Sequence, residues 1–210
     1  MNDGFDAVNI VTLIGVLLFS VGVHEAMHGY AAHWLGDDTA KENGRLTLNP
    51  IKHLDLYTSV LLPIILVLSH LPPFFAAKPV PFNPSRVKYE EFGSAIIGLA
   101  GPLTNLVLAI LGSLVFRVVG LSSTGVVADV LTTFCLVNVA LFVFNMIPFP
   151  PLDGSRLLYA LAPEPIQNVM HQIETGGFMS IIVFMMIFIY TGLGSIITRI
   201  DYSILNFLFK

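Results

Sequence analysis

The stretch IVTLIGVLLFSVGVHEAMHGYAAHWLGD, residues 10–37, decides how this chain is read. Residues 10–23 carry no charge, yet His24, Glu25 and His28 follow them without a break. Ionisable side chains inside a membrane span are costly and are functional by default. At 100° per residue, His24 and His28 lie ~40° apart on one helix face, a single turn from each other. That spacing lets two imidazoles share one tetrahedral Zn²⁺, with Glu25 beside them in reach of a water molecule. Zinc lowers the pKa of such a water to ~7, and a carboxylate can then take its proton. His33 faces ~180° away from His24 and is excluded as a ligand.

Composition agrees with a membrane setting. Hydrophobic residues make up 55% of the 210 and charged residues 11%, against about 25% charged in soluble domains. The first ten residues lack the basic region of a secretory signal, so the first apolar segment is expected to be retained as a span. The net charge of −4 comes without a block of like charge, which argues against a nucleic-acid partner. Cys135 is the single cysteine; it cannot form an intrachain disulfide and is read as a small buried hydrophobe.

Crossing a ~30 Å hydrocarbon core takes about 20 apolar residues. Residues 7–34, 94–118, 126–148 and 177–198 meet that length. The apolar stretch 56–71 is shorter and has Pro63 near its middle, so it is expected to be re-entrant. GRLTLNP (44–50) alternates with period two, and KPVPFNPSR (78–86) holds three prolines. The pair predicts a short β-hairpin-like element at the membrane edge. The expected fold is an all-α membrane protein: a multi-pass helical bundle of about four full spans plus the re-entrant segment. Residues 1–210 form a single domain in this reading, with a core at about 7–160 and an extra C-terminal span at 177–198.

A third ligand has to come from elsewhere in the chain. The best candidate is Asp153, in NMIPFPPLDGSRLL (145–158), where Pro148, Pro150 and Pro151 break a long apolar segment and can turn a carboxylate inward. Asp153 could instead cap the helix that starts near Gly154, and His53, His70 and His171 are rival ligands.

HEAMH (24–28), GRLTLNP (44–50), AGPLTN (100–105) and NMIPFPPLDG (145–154) together resemble the site-2 protease family of intramembrane zinc metalloproteases, in its short branch without PDZ or CBS domains. The resemblance implies that His24, His28 and Asp153 bind catalytic zinc and that Glu25 is the general base. It also implies that Asn145 helps hold an unwound substrate backbone, and that the substrate is a transmembrane protein met in the lipid bilayer. Gly101 and Asn105 fall in a family motif and are read here as helix packing and an interhelical hydrogen bond. The alternative function is a non-proteolytic zinc-binding membrane protein, either a carrier or a pseudoprotease chaperone. A carrier is expected to show a second ligand cluster or internal repeats, and neither is evident.

For His28 and Asp153 to meet, their helices must run parallel, with an odd number of crossings between them. Segment 94–118 supplies one, so 56–71 is expected to return to the side it left. Lys41, Arg45, Lys52, Lys78, Arg86, Lys88 and Arg156 then share the site's side, while Arg117, Arg199 and Lys210 lie at or beyond the other. The positive-inside rule predicts a cell-membrane protein whose site faces the cytoplasm.

Overall fold

A computed structural model describes residues 7–61, 65, 68, 77–120 and 125–210. Helix α1 runs over Ala7–Trp34, followed by the short α2 (Thr39–Glu42), α3 (Glu90–Val118) and α4 (Val126–Asn145). Then come α5 (Gly154–Leu161), α6 (Glu164–Thr175), α7 (Phe178–Tyr190) and α8 (Leu193–Phe209). Helices α1, α3 and α4 are long and apolar enough to cross a membrane. Their outward faces expose Leu13, Phe19, Leu103, Leu111 and Val127, side chains that only lipid can cover favourably. The chain is a multi-pass helical membrane protein.

Contacts between the three long helices fix their directions. His28 meets Ile97 while His24 meets Asn105, so α1 and α3 are antiparallel. Gly112 lies against Phe134 and Cys135, whereas Asn105 meets Asn138, so α3 and α4 are antiparallel as well. Helices α1 and α4 are therefore parallel, as the metal-site argument requires. Cys135 is fully buried, its thiol directed at Ala109 O 3.4 Å away, in keeping with a packing role.

The fate of 56–71 falls mostly outside the described residues; Leu56–Leu61 forms a π-helical turn. Lys88 N donates to Leu35 O at 2.9 Å, so α1 ends and α3 begins at the same end of the bundle.

The stretch 44–53 folds back along α1. A Cβ on Gly29 would meet Leu46 at 3.3 Å, and one on Gly22 would meet Pro50 at 2.9 Å. With Ala26 buried between them, Gly22 and Gly29 make a shallow groove of small residues that admits an extended chain. Pro50 thus reaches a level deeper than His24. His53 is buried and donates from Nε2 to Thr47 O at 2.8 Å, which closes this loop on itself.

Two expectations need correction. Among the described residues, 44–50 and 78–86 pair with no partner strand: both are extended or turned backbone lying against α1. The prolines at 79, 81 and 84 lack the N–H groups that a ladder needs. The expected span 177–198 is also not one helix. It breaks after Tyr190, where Gly192 takes φ +74°, a left-handed conformation natural to glycine. Residues 182–188 and 193–209 then meet at 73°. Helix α8 carries on past residue 198 to pack Leu208, Ile204 and Leu205 against Ala109, Val139 and Val143, so the C-terminal stretch belongs to the bundle.

Candidate metal centre

His24 and His28 are buried on the face of α1 turned towards α3. Each imidazole is held from behind. His24 Nδ1 donates to Asn105 Oδ1 at 2.6 Å, and His28 Nδ1 donates to Ile97 O at 2.7 Å. With both Nδ1 atoms acting as donors, both Nε2 atoms are left pointing at a common centre, and they lie 3.1 Å apart.

Asp153 reaches the same centre from the loop after α4. Its Oδ2 lies 3.1 Å from His24 Nε2 and 3.4 Å from His28 Nε2. It occupies the cap position of α5 with helical torsions and makes no side-chain capping bond, so the capping alternative does not hold its carboxylate. Glycines make this approach possible. A Cβ at Gly154 would stand 2.4 Å from Met146 O, and one at Gly98 would press on Arg156 and on Asp153 O.

The donor set can be tested against zinc directly. Bonds of ~2.0–2.1 Å at tetrahedral angles place ligand atoms roughly 3.3 Å apart. The three separations here are 3.1, 3.1 and 3.4 Å. Two lone pairs and a carboxylate oxygen facing one another at that range repel unless a cation lies between them. Residues and geometry fit a divalent metal. Gly101 borders the same space, where a Cβ would fall 2.4 Å from His28 Nε2 and 2.7 Å from His24 Nε2.

Glu25 is half-buried one residue along, and its Oε2 accepts from Val80 N at 3.0 Å. Val80 belongs to a strap, residues 77–88, that lies over α1. Lys78 N donates to His53 O, and Asn83 N donates to Asp37 Oδ2 at 2.6 Å. Asp37 is buried; hydrogen bonds from Thr39 and Asn83 outweigh the effect of burial and hold its carboxyl below the usual carboxylate range. A cavity of about 620 Å³ opens beside the strap, walled by Phe82, Glu90, Ser94, Arg156 and Glu174. Arg156 pairs with Glu174 and lies over the Phe82 ring.

This geometry has counterparts in known proteins. The "Putative zinc metalloprotease YwhC" of Bacillus subtilis is 39% identical over 191 residues, covering 87% of this chain and 82% of that protein. The chain belongs to peptidase family M50. The profile of that family matches residues 120–189, which include Asp153 and Asn145. The "Putative zinc metalloprotease Rip2" of Mycolicibacterium smegmatis is 27% identical over 178 residues, 82% of this chain and 66% of that protein. No solved structure matches. M50 is the site-2 protease family, so the sequence resemblance holds, and zinc is its cofactor.

The remaining sequence candidates separate cleanly. His33 lies 2.5 Å from Asp38 Oδ1, away from the centre. His53 is engaged by Thr47, and His171 lines the cavity; His70 lies outside the described residues. Asn145 sits at the end of α4 with Nδ2 donating to Leu141 O at 3.0 Å. Gly101, read from the sequence as a packing position, packs α3 against both imidazoles. Sequence reading passed over Ser20, Asn138 and Val80. Asn138 could have been found, being a polar side chain within an apolar span.

Proposed function

We propose that this M50 protein is an intramembrane zinc endopeptidase that hydrolyses a peptide bond in or near a transmembrane segment of another protein. In this reading His24, His28 and Asp153 hold the zinc, Glu25 is the general base, and residues 7–160 form the catalytic core. The observation carrying it is the triangle of two Nε2 atoms and one carboxylate oxygen, spaced at 3.1–3.4 Å within a buried, membrane-embedded bundle. When bound there, zinc supplies Lewis-acid polarisation of the scissile carbonyl and acidifies water. Glu25 accepts the proton of the attacking water and passes it to the departing amine nitrogen. The Val80 amide holds the Glu25 carboxylate in one orientation for that transfer. Water approaches from the polar cavity, whose wall reaches Ser94, one turn from the Ile97 carbonyl that holds His28.

A transmembrane helix hides its carbonyls in its own hydrogen bonds, so the substrate must be unwound and its backbone paired anew. Residues 44–49 suit that role. The amides of Leu46 and Leu48 have no partner among the described residues, while those of Arg45, Thr47 and Asn49 bond within the protein. Open amides at alternate positions are what an added strand requires, once the bend at Thr47–Leu48 straightens. The strap is less suited, because the amides of Lys78, Val80 and Asn83 are already engaged. Asn145 is assigned to the substrate backbone at the end of α4.

We also infer that the site faces the cytoplasm, since Lys41, Arg45, Lys52, Lys78, Arg86, Lys88 and Arg156 sit at its end of the bundle. Cysteine labelling that found residues 78–90 outside the cell would refute that orientation. The activity is tested with a single-pass model substrate in detergent. Cleavage should stop with a zinc chelator and fall by roughly 10²–10⁴-fold in Glu25→Gln, which should still bind zinc. Undiminished cleavage in Glu25→Gln refutes the assigned base. Zinc binding without cleavage in the wild type would favour a carrier or pseudoprotease.

A further inference from the structure

Behind the imidazoles runs a thread of polar side chains through otherwise apolar helices. Ser20 on α1, Asn105 on α3 and Asn138 on α4 are all fully buried. Asn105 Nδ2 donates to Asn138 Oδ1 at 2.8 Å and to Ser20 O at 3.4 Å. Asn138 Nδ2 donates to Phe134 O and to Ser20 Oγ, each at 2.9 Å. Buried amides of this kind are expensive unless every group is matched, and here they are matched in one sense only.

That sense has an origin. A backbone carbonyl can only accept, so Phe134 O requires the NH₂ group of Asn138 to face it, which turns Asn138 Oδ1 towards α3. An oxygen there, together with Ser20 O, requires the NH₂ group of Asn105. Asn105 Oδ1 is then left for His24, where it can accept only from an imidazole N–H on Nδ1. The proton of neutral His24 is held on Nδ1, and the lone pair stays on Nε2, the atom 3.1 Å from Asp153 Oδ2. Direction is passed from a carbonyl of α4 to a ring nitrogen of α1 through one side chain of α3.

We propose that Asn105 and Asn138 are positioning residues that set the tautomer of His24, with Asn138 acting through Asn105 although it touches neither imidazole. The proposal rests on His24 being a zinc ligand. A second consequence follows from placement. Helix α4 also leads into the loop bearing Asp153, so the same bonds register that helix against α1 and align the carboxylate with the two imidazoles.

The test uses full-length protein in detergent and reads zinc affinity by competition with a chromogenic chelator. In Asn138→Leu the Asn105 amide keeps only the long 3.4 Å bond to Ser20 O and can turn its NH₂ group towards His24, favouring the tautomer that cannot bind metal through Nε2. Zinc Kd should rise roughly 10- to 100-fold, as for lost outer-shell partners elsewhere. Adding Asn105→Asp to Asn138→Leu should restore affinity, because a carboxylate presents oxygen to His24 whichever way it turns. A merely structural role for Asn138 predicts no such rescue. Phe209→Ala, at the far end of the bundle, should lower stability while leaving zinc Kd unchanged. Independently of any variant, ¹⁵N imidazole shifts of the zinc-free wild type should show His24 protonated on Nδ1. Protonation on Nε2, an Asn138→Leu protein that binds zinc like the wild type, or a double variant as weak as the single one would each overturn the proposal. If the wild type itself binds no zinc, the ligand assignment fails first, which is a distinguishable result.

Discussion

Where α1 gives way to loops, the helices meet through imidazoles, amides and a carboxylate. From Ala109 on to Arg117, about 18 to 30 Å further along α3 than Ile97, they meet through Ala109, Leu208 and the edge-to-face rings of Phe116 and Phe209. Two polar side chains there bond to backbone carbonyls: Arg117 donates to Phe207 and Leu208 at the end of α8, and buried Ser113 donates to Ile110 O. Lipid gives two helices no hydrophobic reason to associate, so packing and hydrogen bonds must hold them. The far end manages with packing and bonds from Arg117 and Ser113 to backbone carbonyls. The near end buries Ser20, Asn105, Asn138, His24 and His28, groups whose burial packing alone does not require. In this bundle most of the buried polar side chains of the three long helices gather at or behind the two imidazoles, and the other end is held mainly by apolar contacts.

The contrast can be broken most severely at Gly101. Gly101→Ala places a methyl 2.4 Å from His28 Nε2, and zinc affinity should drop by at least about 100-fold, the upper end for lost outer-shell partners; chelator competition reads this. Next in size is Val80→Pro, which removes the N–H that holds Glu25. Cleavage should fall by about 10-fold, in line with losing a hydrogen bond to a charged group, with zinc content unchanged and Val80→Ala behaving like the wild type.

A milder effect comes from pH. The carboxyl of Asp37 is held low in the fold, so its hold on Asn83 is complete above ~4 and is lost as pH falls through the folded value. The protection of the Asn83 amide against hydrogen exchange, taken relative to an unstructured chain at the same pH, should therefore fall at acid pH, and Asp37→Ala should leave that amide unprotected at every pH. The smallest effect belongs to the far end. Arg117→Ala should lower unfolding stability by about 1 kcal/mol and leave zinc affinity and cleavage unchanged; a loss of zinc there would show that the two ends are not separable.

Much of the centre was legible before folding, because its signals are local or costly. His24, Glu25 and His28 follow from helical period in an apolar run, and Asp153 from three prolines that no straight span tolerates. Gly101 was legible as a place of close helix packing, but a missing side chain shows nothing of what stands opposite it, here the two imidazoles. The expected β-like element and the continuous span 177–198 both trusted local pattern. The first met α1 where a partner strand was expected, and the second met the conformational freedom of Gly192.

Sequence by itself determined that the chain lives in a membrane, that its helices bring two imidazoles to one face, and which family it joins. These depend on composition and on spacings within one element. Only the tertiary structure decided that Phe134 O, Asn138, Asn105 and His24 form a directed line, that Val80 holds Glu25, and that the loop 44–53 lies in a groove of small residues on α1. Each of these joins residues far apart in the chain, and hydrogen-bond direction exists only once donor and acceptor are face to face.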